Sequence, residues 1–493
     1  MVCICRERHR GRYLHLIRYY TNINARIFFL YLLVFNAKIG SEKMFSKILI
    51  ANRGEIAVRI IRACREMGIS TVAIYSEADK DAMHVQLADE SYCVGGNRVA
   101  DSYLNMPAIL TVAVESGAQA IHPGYGLLSE NAKFVSLCEQ CNINFIGPTS
   151  DMIKLLGDKD NARKTMRAAG VPVTPGCDIV ENVEQAVEEA KIIGFPLLIK
   201  ARSGGGGKGI RRVDSIEQFE EAFLSASAEA KAAFGDGACY IEKFIHPVKH
   251  IEMQLLCDKY GNTICLGERE CSVQRKNQKM IEESPSPALD EKTRKEMMIA
   301  AVKAAKAVNY VNAGTVEFLL DKNNNFYFME MNTRLQVEHG VTEMVTGLDI
   351  VQWQIRIAAG AKLSRTQDSI FTHGNVIECR INAENPDKGF RPSCGRIKRL
   401  HIPGGSFVRF DTAILQDYFV PPYYDSMIGK LIVQARSRSE AIRKMKMALS
   451  ELVIEGVDIN RDLLAEILSD EQFVSGEYTT DFMTDFEKRR NSK

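Results

Sequence analysis

Between Lys47 and Tyr75 the chain reads as strand, helix, strand, and no other stretch narrows the possible folds so far. Lys47 to Ala51, KILIA, is a short apolar run of the kind buried inside a parallel sheet. After Asn52-Arg53-Gly54, the segment EIAVRIIRACREMG places Ile56, Ile60, Ile61 and Cys64 at helical spacing, with Gly68 set to stop the helix. Thr71 to Tyr75, TVAIY, is the returning strand. The unit predicts a parallel sheet of dinucleotide-fold type, and Glu77 and Asp79 follow the second strand where such folds place a ribose-binding acid. The phosphate fingerprint is nonetheless missing. The first turn holds Gly54 alone and no GxGxxG, which argues against a nicotinamide cofactor. The turn HPGYG, with Gly124 and Gly126, follows the strand-like AQAIH at a place where ligands gather, although turn geometry alone would explain two glycines.

The 493 residues suffice for about three domains. A composition of 46% hydrophobic and 25% charged residues is that of an ordinary globular protein and sets aside disorder, collagen and coiled coil. The net charge of +1 supplies no broad field to hold nucleic acid, so any polyanion site has to be local. Thirteen cysteines scattered from Cys3 to Cys394 fit free thiols in a reducing, cytoplasmic setting. The one CxxC, Cys138 to Cys141, lies in the helix-like AKFVSLCEQC and lacks the other two ligands of a tetrahedral metal site. Residues 1–43 stand apart: they are rich in arginine, and their apolar run, Ile27 to Phe35, is too short for a bilayer, which takes about 20 residues. A secretory signal lacks a clear cleavage site here, and a mitochondrial presequence is a second reading. The favoured reading is an upstream start ahead of a true start at Met44, since MFSKILIANRGE opens directly into strand and helix.

Past Gly147-Pro148, helical stretches at Val183 to Lys191 and Ile216 to Ala233 flank the strand FPLLIK and a glycine-rich turn. That turn, Lys200-Ala-Arg-Ser-Gly-Gly-Gly-Gly-Lys208-Gly209, lets backbone N–H groups approach phosphate oxygens while lysines neutralise charge. It is not a Walker A loop, because Gly209 follows Lys208 where a hydroxyl would ligate magnesium. A plain linker is the competing reading, weakened by a buried strand ending in Lys200. The strands GTVEFLL and NFYFMEMN then form a hairpin across Asp321 to Asn325. Alternation places Phe326, Phe328, Glu330 and Asn332 on one face, with Glu317 on the partner strand, a set of hard oxygen ligands suited to Mg²⁺ or Mn²⁺. Arg334 and Glu338 follow four residues apart, for which surface pairing is the bland alternative. Arg380, in the strand-like ECRIN, is placed either to donate to a developing oxyanion or to stitch two domains together.

Together with ILIANRGEIAVRIIRAC, IHPGYGLLSEN, GDKDNAR, SGGGGKG, ERECSVQRKNQK, FMEMNTRLQVEH and PPYYDSMIGKL, these features resemble the biotin carboxylase family of the ATP-grasp superfamily, from about Met44 to the region of Phe482. The resemblance implies an α/β fold, α+β overall, in three parts: a Rossmann-like N-terminal domain over 44–153, an ATP-grasp domain over 154–365 with a mobile glycine-rich lid over about 172–245, and a mixed α/β C-terminal domain over 376–484. It also implies residue roles. Lys159 and Lys200 hold ATP phosphates, Gly206 and Gly207 belong to the lid, and Glu242, Lys243 and Ile245 form the adenine hinge, with His250, Gln274 and Asn277 at further nucleotide positions. Glu317, Glu330 and Asn332 match ligands of two Mg²⁺ or Mn²⁺ ions. Lys279, Arg334 and Val337 match the surroundings of bicarbonate, Glu338 the base that deprotonates it, and Arg380 the donor to the biotin oxyanion. The implied reaction carboxylates biotin on a separate biotin carboxyl carrier protein through carboxyphosphate, as the first half-reaction of acetyl-CoA carboxylase in fatty acid synthesis. Another acyl-CoA or pyruvate carboxylase is the alternative. Carboxyltransferase subunits are the implied partners, a homodimer the implied assembly, and neither nucleic acid nor membrane is implied.

Four positions depart from the family pattern: Arg202-Ser203 stands where Ser-Gly is common, Asn277 where a histidine is, and Gly340 where a proline is. Lys444-Met445-Lys446-Met447 mimics a biotin-acceptor sequence, but Ile442, Met445, Leu449 and Leu452 keep helical spacing around it. The competing functions are another ATP-grasp ligase, against which HPGYG and ECRINAE argue, and a nucleotide-binding subunit without catalysis, against which the joint presence of Glu317, Glu330, Arg334, Glu338 and Arg380 argues.

Overall fold

In the computed structural model, which describes residues 44–180, 182–202 and 210–492, the apolar part of the KILI strand is fully sequestered, with Ile48, Leu49 and Ile50 at 0% exposure. Residues 1–43, and with them the expected upstream segment, lie outside the described residues, as do Gly206 and Gly207 of the expected lid. Strands β1 (Lys47–Ile50), β2 (Ser70–Ser76), β3 (Glu90–Gly95), β4 (Ala120–His122) and β5 (Asn144–Phe145) form a parallel sheet in the order β3-β2-β1-β4-β5. The first crossover is the helix Gly54–Glu66, which buries Ile56, Ile60, Ile61 and Cys64. Strand order reverses beside β1, so the carboxyl ends of β1 and β4 bound a crevice of the kind α/β folds use for ligands.

A second, small sheet of β6 (Leu197–Ala201), β7 (Ile210–Val213) and β8 (Cys239–Lys243) is antiparallel in the order β7-β6-β8. The helices Val183–Ile193 and Phe219–Phe234 cover it, giving this lid a core of its own around Leu197, Ile199, Phe219 and Ile241. The third sheet is the largest. It takes in β9 (Val248–Cys257), β10 (Thr263–Arg275), β11 (Gln278–Ser284), β12 (Asn312–Asp321), β13 (Phe326–Asn332), β14 (Asn375–Asn382) and the strands Val408–Thr412 and Met427–Ala435. All of its pairings are antiparallel, and β11 pairs with β14, so the expected ATP-grasp and C-terminal regions share one sheet. One face of that sheet is largely apolar and packs on the helices Glu291–Ala307 and Arg438–Glu451, whose Arg294 and Arg438 pair with the buried Glu268 and Glu283 of that face. The opposite face carries charge.

The hairpin corrects one expectation. Glu317 lies opposite Glu330, but Phe318 lies opposite Phe328, so a β-bulge at Met329 breaks the alternation. Phe326 and Phe328 therefore pack into the core with Phe318, and only Glu330 and Asn332 share a face with Glu317. The Met-Lys-Met mimic sits within the helix Arg438–Glu451 with Met445 buried, and the cysteines among the described residues are free thiols. Among the described residues no helix is long and apolar enough to cross a membrane.

Candidate active site

The β1–helix turn and the HPGYG turn are shaped for each other. Asn52 donates to the carbonyls of Pro123 at 2.6 Å and Tyr125 at 2.8 Å. At Gly124, with φ of +63°, a Cβ would stand 3.0 Å from both Asn52 and Ile56, so the turn needs glycine there for space as well as for conformation. Gly126 has open space around it, and its φ of +65° is the whole reason for a glycine. The dinucleotide-style acid is already taken: Asp79 is fully buried and accepts from Arg53 at 2.6 and 2.8 Å and from Tyr103 at 2.6 Å. Tyr424, from the PPYYDSM segment, lies on the Arg53 guanidinium. The protein itself thus fills the place where a ribose would sit.

The ligand-sized cavity lies instead between the lid, the third sheet and the HPGYG turn, with a volume of about 690 Å³. Every site residue expected from the sequence that falls within the described residues lines it: Lys159, Lys200, Glu242, Lys243, Ile245, His250, Gln274, Asn277, Lys279, Glu317, Glu330, Asn332, Arg334, Val337, Glu338 and Arg380. On the lid side, Lys200 donates to Glu242 at 2.5 Å, and Lys243 turns its ammonium to the carbonyls of Gly194 and Phe195, tying the hinge strand to the helix–strand turn before it. Lys159 opens a helix capped by Asp158 and stands 3.7 Å from Glu330.

The centre is a buried charge network. Lys279 reaches Glu252 at 2.6 Å, Glu338 at 2.6 Å and Glu317 at 3.2 Å. Burial by itself would favour the neutral amine, but these three carboxylates hold the Lys279 pKa well above the ordinary lysine value. Glu338 is 1% exposed; burial pushes its pKa up, and Lys279, Arg380 and Arg269 outweigh that to hold it well below the ordinary range. Arg380 bridges Glu282 at 2.6 Å and Glu338 at 3.0 Å. Glu317 is likewise lowered, against its own burial, by Lys279 and by His250, whose Nε2 lies 2.9 Å away. Asn332 and Gln336 also donate to Glu317, at 2.8 and 2.9 Å.

Two carboxylates directly opposite on neighbouring strands repel one another. Glu317 and Glu330 hold that arrangement beside the Asn332 amide, which makes an all-oxygen donor set whose repulsion a divalent cation would relieve. Arg334 and Glu338 do not pair: Arg334 binds Glu130 at 2.8 Å, Gln336 at 2.8 Å and Asn332 at 3.1 Å. Sequence reasoning passed over Glu130, Glu252, Arg269 and Glu282. Their only signal was charge inside strand-like or turn motifs, and Arg269, fully buried against Glu252, Gln254 and Thr342, has partners far from it along the chain.

The departures have local causes. Lys276 and Asn277, with φ of +50° and +63°, are the two turn residues between β10 and β11, and asparagine enters the left-handed region readily. Arg202 is held at 2.8 Å by Asp236. At Gly340 a Cβ would lie 2.4 Å from Cδ1 of Ile432, so the isoleucine occupies the room a larger residue would need.

The chain is similar to known proteins over most of its length. Residues 44–153 match the family model for the biotin carboxylase N-terminal domain, 158–366 the ATP-binding domain of the carbamoyl-phosphate synthase L chain, and 378–485 the biotin carboxylase C-terminal domain. Biotin carboxylase 1 of Bacillus subtilis is 56% identical over 446 residues, covering 90% of this chain and 99% of the relative. Among solved structures, the β-γ-ATP complex of biotin carboxylase from Campylobacter jejuni is 50% identical with a TM-score of 0.86, over 90% of this chain and 99% of that one. The biotin carboxylase domain dimer of the Hydrogenobacter thermophilus 2-oxoglutarate carboxylase, in complex with MgADP, ADP and bicarbonate, is 51% identical with a TM-score of 0.85, over 90% and 98%. With matches this extensive over the same residues that build the cavity, the chain belongs to the biotin carboxylase family and is an ATP-grasp ligase.

Proposed function

We propose that the cavity binds ATP, activates bicarbonate and carboxylates biotin presented by a carrier protein. The observation that carries this reading is the placement of Glu338, an ionised carboxylate gripped by Lys279 and Arg380 at the meeting of lid, sheet and HPGYG turn. Lys159 and Lys200 hold the nucleotide phosphates, Gly206 and Gly207 close over them, and Glu242, Lys243, Ile245, His250, Gln274 and Asn277 surround the remainder of the nucleotide. Glu317, Glu330 and Asn332 hold two divalent cations, Mg²⁺ or Mn²⁺, which when bound orient and neutralise those phosphates.

Bicarbonate takes the ground between Lys279, Arg334 and the Val337 backbone. In the free enzyme Lys279 and Arg380 weaken Glu338 as a base; an anion that draws on the same cations loosens that grip and strengthens it. Glu338 then takes the bicarbonate proton as the bicarbonate oxygen attacks the γ-phosphorus, releasing ADP. Carboxyphosphate breaks to CO₂ and phosphate, the phosphate takes the N1′ proton of biotin, and N1′ attacks CO₂. Arg380 stabilises the ureido oxyanion, a charge that develops only as this step proceeds. Water has to be kept out, since it would hydrolyse carboxyphosphate, and the separately folded lid is suited to that task.

The relatives include both a biotin carboxylase named as such and a part of a 2-oxoglutarate carboxylase, so the acceptor is a separate question. Our reading is the first half-reaction of acetyl-CoA carboxylase, with a biotin carboxyl carrier protein and carboxyltransferase subunits as partners in the cytoplasm. A homodimer is supported by the Hydrogenobacter thermophilus domain, solved as one. The test measures phosphate release from MgATP with and without bicarbonate, then with free biotin. Release that needs bicarbonate and rises with biotin is expected, and release indifferent to both would overturn the reading. In the same assay Arg380→Ala should lower the biotin-stimulated rate by about 100-fold or more with nucleotide affinity held; equal losses in both would make Arg380 structural. Malonyl-CoA formation after adding carrier and carboxyltransferase decides the acceptor.

A further inference from the structure

We propose that Lys430, with Glu55 as its counter-charge, is a positioning residue for the loop that activates bicarbonate; this rests on the roles given above to Val337 and Glu338. Lys430 lies on the strand Met427–Ala435, directly opposite Arg380 on β14, and is fully buried. An ammonium removed from water has to find acceptors of its own. Lys430 finds the Val337 carbonyl at 2.5 Å and the Glu55 carboxylate at 3.2 Å. Glu55 lies in the first turn of the helix Gly54–Glu66 and accepts a further hydrogen bond from the Tyr125 hydroxyl.

Residues 333–338 run between β13 and the helix His339–Thr346 without helix or strand structure, so no ladder holds this backbone. Its position depends on side chains from elsewhere: Glu130 receives the Thr333 N–H at 3.1 Å, and Lys430 grips the carbonyl immediately before Glu338. The Val337–Glu338 peptide is planar, so fixing that carbonyl fixes the plane from which the Glu338 side chain departs. Because Glu55 and Tyr125 belong to the N-terminal domain, the base is placed jointly by that domain and by the C-terminal strands. Lys430 and Glu55 need touch neither bicarbonate nor nucleotide to do this.

The full chain is used for the test. Glu55→Gln/Lys430→Met removes both charges together, so neither is left buried alone. A misplacement of about 1 Å costs on the order of 100-fold in rate, and bicarbonate-dependent phosphate release should fall by roughly that factor. Affinity for MgADP, measured by calorimetry, should stay within about 3-fold, since the nucleotide positions are untouched. Glu55→Gln alone keeps shape and hydrogen bonding and should lose roughly 3- to 10-fold in the same rate. Wild-type bicarbonate kinetics in the folded double variant, or in Glu55→Gln should the double variant fail to fold, overturns the proposal. So does a loss of MgADP affinity equal to the loss of rate, which is what a merely structural pair would give. A wild-type protein indifferent to bicarbonate sinks the biotin carboxylase reading instead.

Discussion

Glu378 on β14 and Glu338, in the loop ahead of the helix His339–Thr346, are both buried carboxyls in contact range of Arg380, and their surroundings drive them apart. Glu338 has two cations in contact and stays ionised. Glu378 is 0% exposed, neither of its oxygens has a hydrogen-bond partner among the described residues, and burial raises its pKa well above the ordinary value although Lys430 and Arg380 oppose this. The linkage signs are opposite. A lowered carboxylate such as Glu338 gives stability that is present above the unfolded value of about 4.3 and lost as pH falls through the folded value. A raised one such as Glu378 holds its proton in the folded state, so its contribution declines as pH climbs from about 4.3 towards the folded value, by up to about 1.4 kcal/mol per pH unit. Glu378→Gln should therefore flatten the fall of stability between about pH 5 and 8. Denaturant unfolding at several pH values checks this, and an unchanged slope would mean that Glu378 ionises in the fold. The sequence could name Arg380 in ECRIN, but it could not say that Glu378 two residues away would go unpaired. Both side chains leave the same face of β14, and only the neighbouring strands decide who meets whom.

Among elements, the hairpin and the helix His339–Thr346 mark where local reading worked and where it stopped. Strand existence and the hairpin, with Glu317 on one strand and Glu330 on the other, were legible, because alternating apolar residues on both sides of a polar turn have few other solutions. The bulge at Met329 was not: one extra residue between two well-formed strands leaves no mark in composition, yet it sends both phenylalanines to the core. Gly340 gives an element-scale prediction. Its missing Cβ is filled by Ile432 at 2.4 Å, so Gly340→Ala should cost about 1–3 kcal/mol by overpacking, in spite of alanine's better helix propensity. Ile432→Val removes the offending Cδ1, and in the double variant much of that loss should return. A double-mutant cycle of thermal unfolding reads the coupling. Strict additivity would show that the helix shifts to make room.

On the scale of the whole molecule, the expected boundary between the ATP-grasp and C-terminal regions falls inside one sheet. Pairing of β11 with β14 joins them, and Val273, Met280 and Ile281 sit in the same core as Leu431, Met445 and Phe473. A chain ending at residue 366 would bare the edge of β11 and that apolar face, and should aggregate where the full chain stays monodisperse; size-exclusion chromatography of the two decides it. A compact, monomeric shortened protein would show the C-terminal region to be an independent addition. The lid differs, having its own sheet and core. What the sequence determined by itself was local or periodic: the parallel β1–helix–β2 unit, the strand ahead of the glycine-rich turn and the hairpin follow from side-chain period and turn chemistry, which neighbours along the chain set. Most of the residues that line the cavity were named instead by the resemblance of their motifs to a family. Only the tertiary structure decided that Asp79 is consumed by Arg53 and Tyr103, that Arg334 binds Glu130 and not Glu338, and that Lys430 reaches Val337. Each of those pairs joins residues far apart in sequence, and a charge buried from water takes as its partner whatever the fold brings within reach.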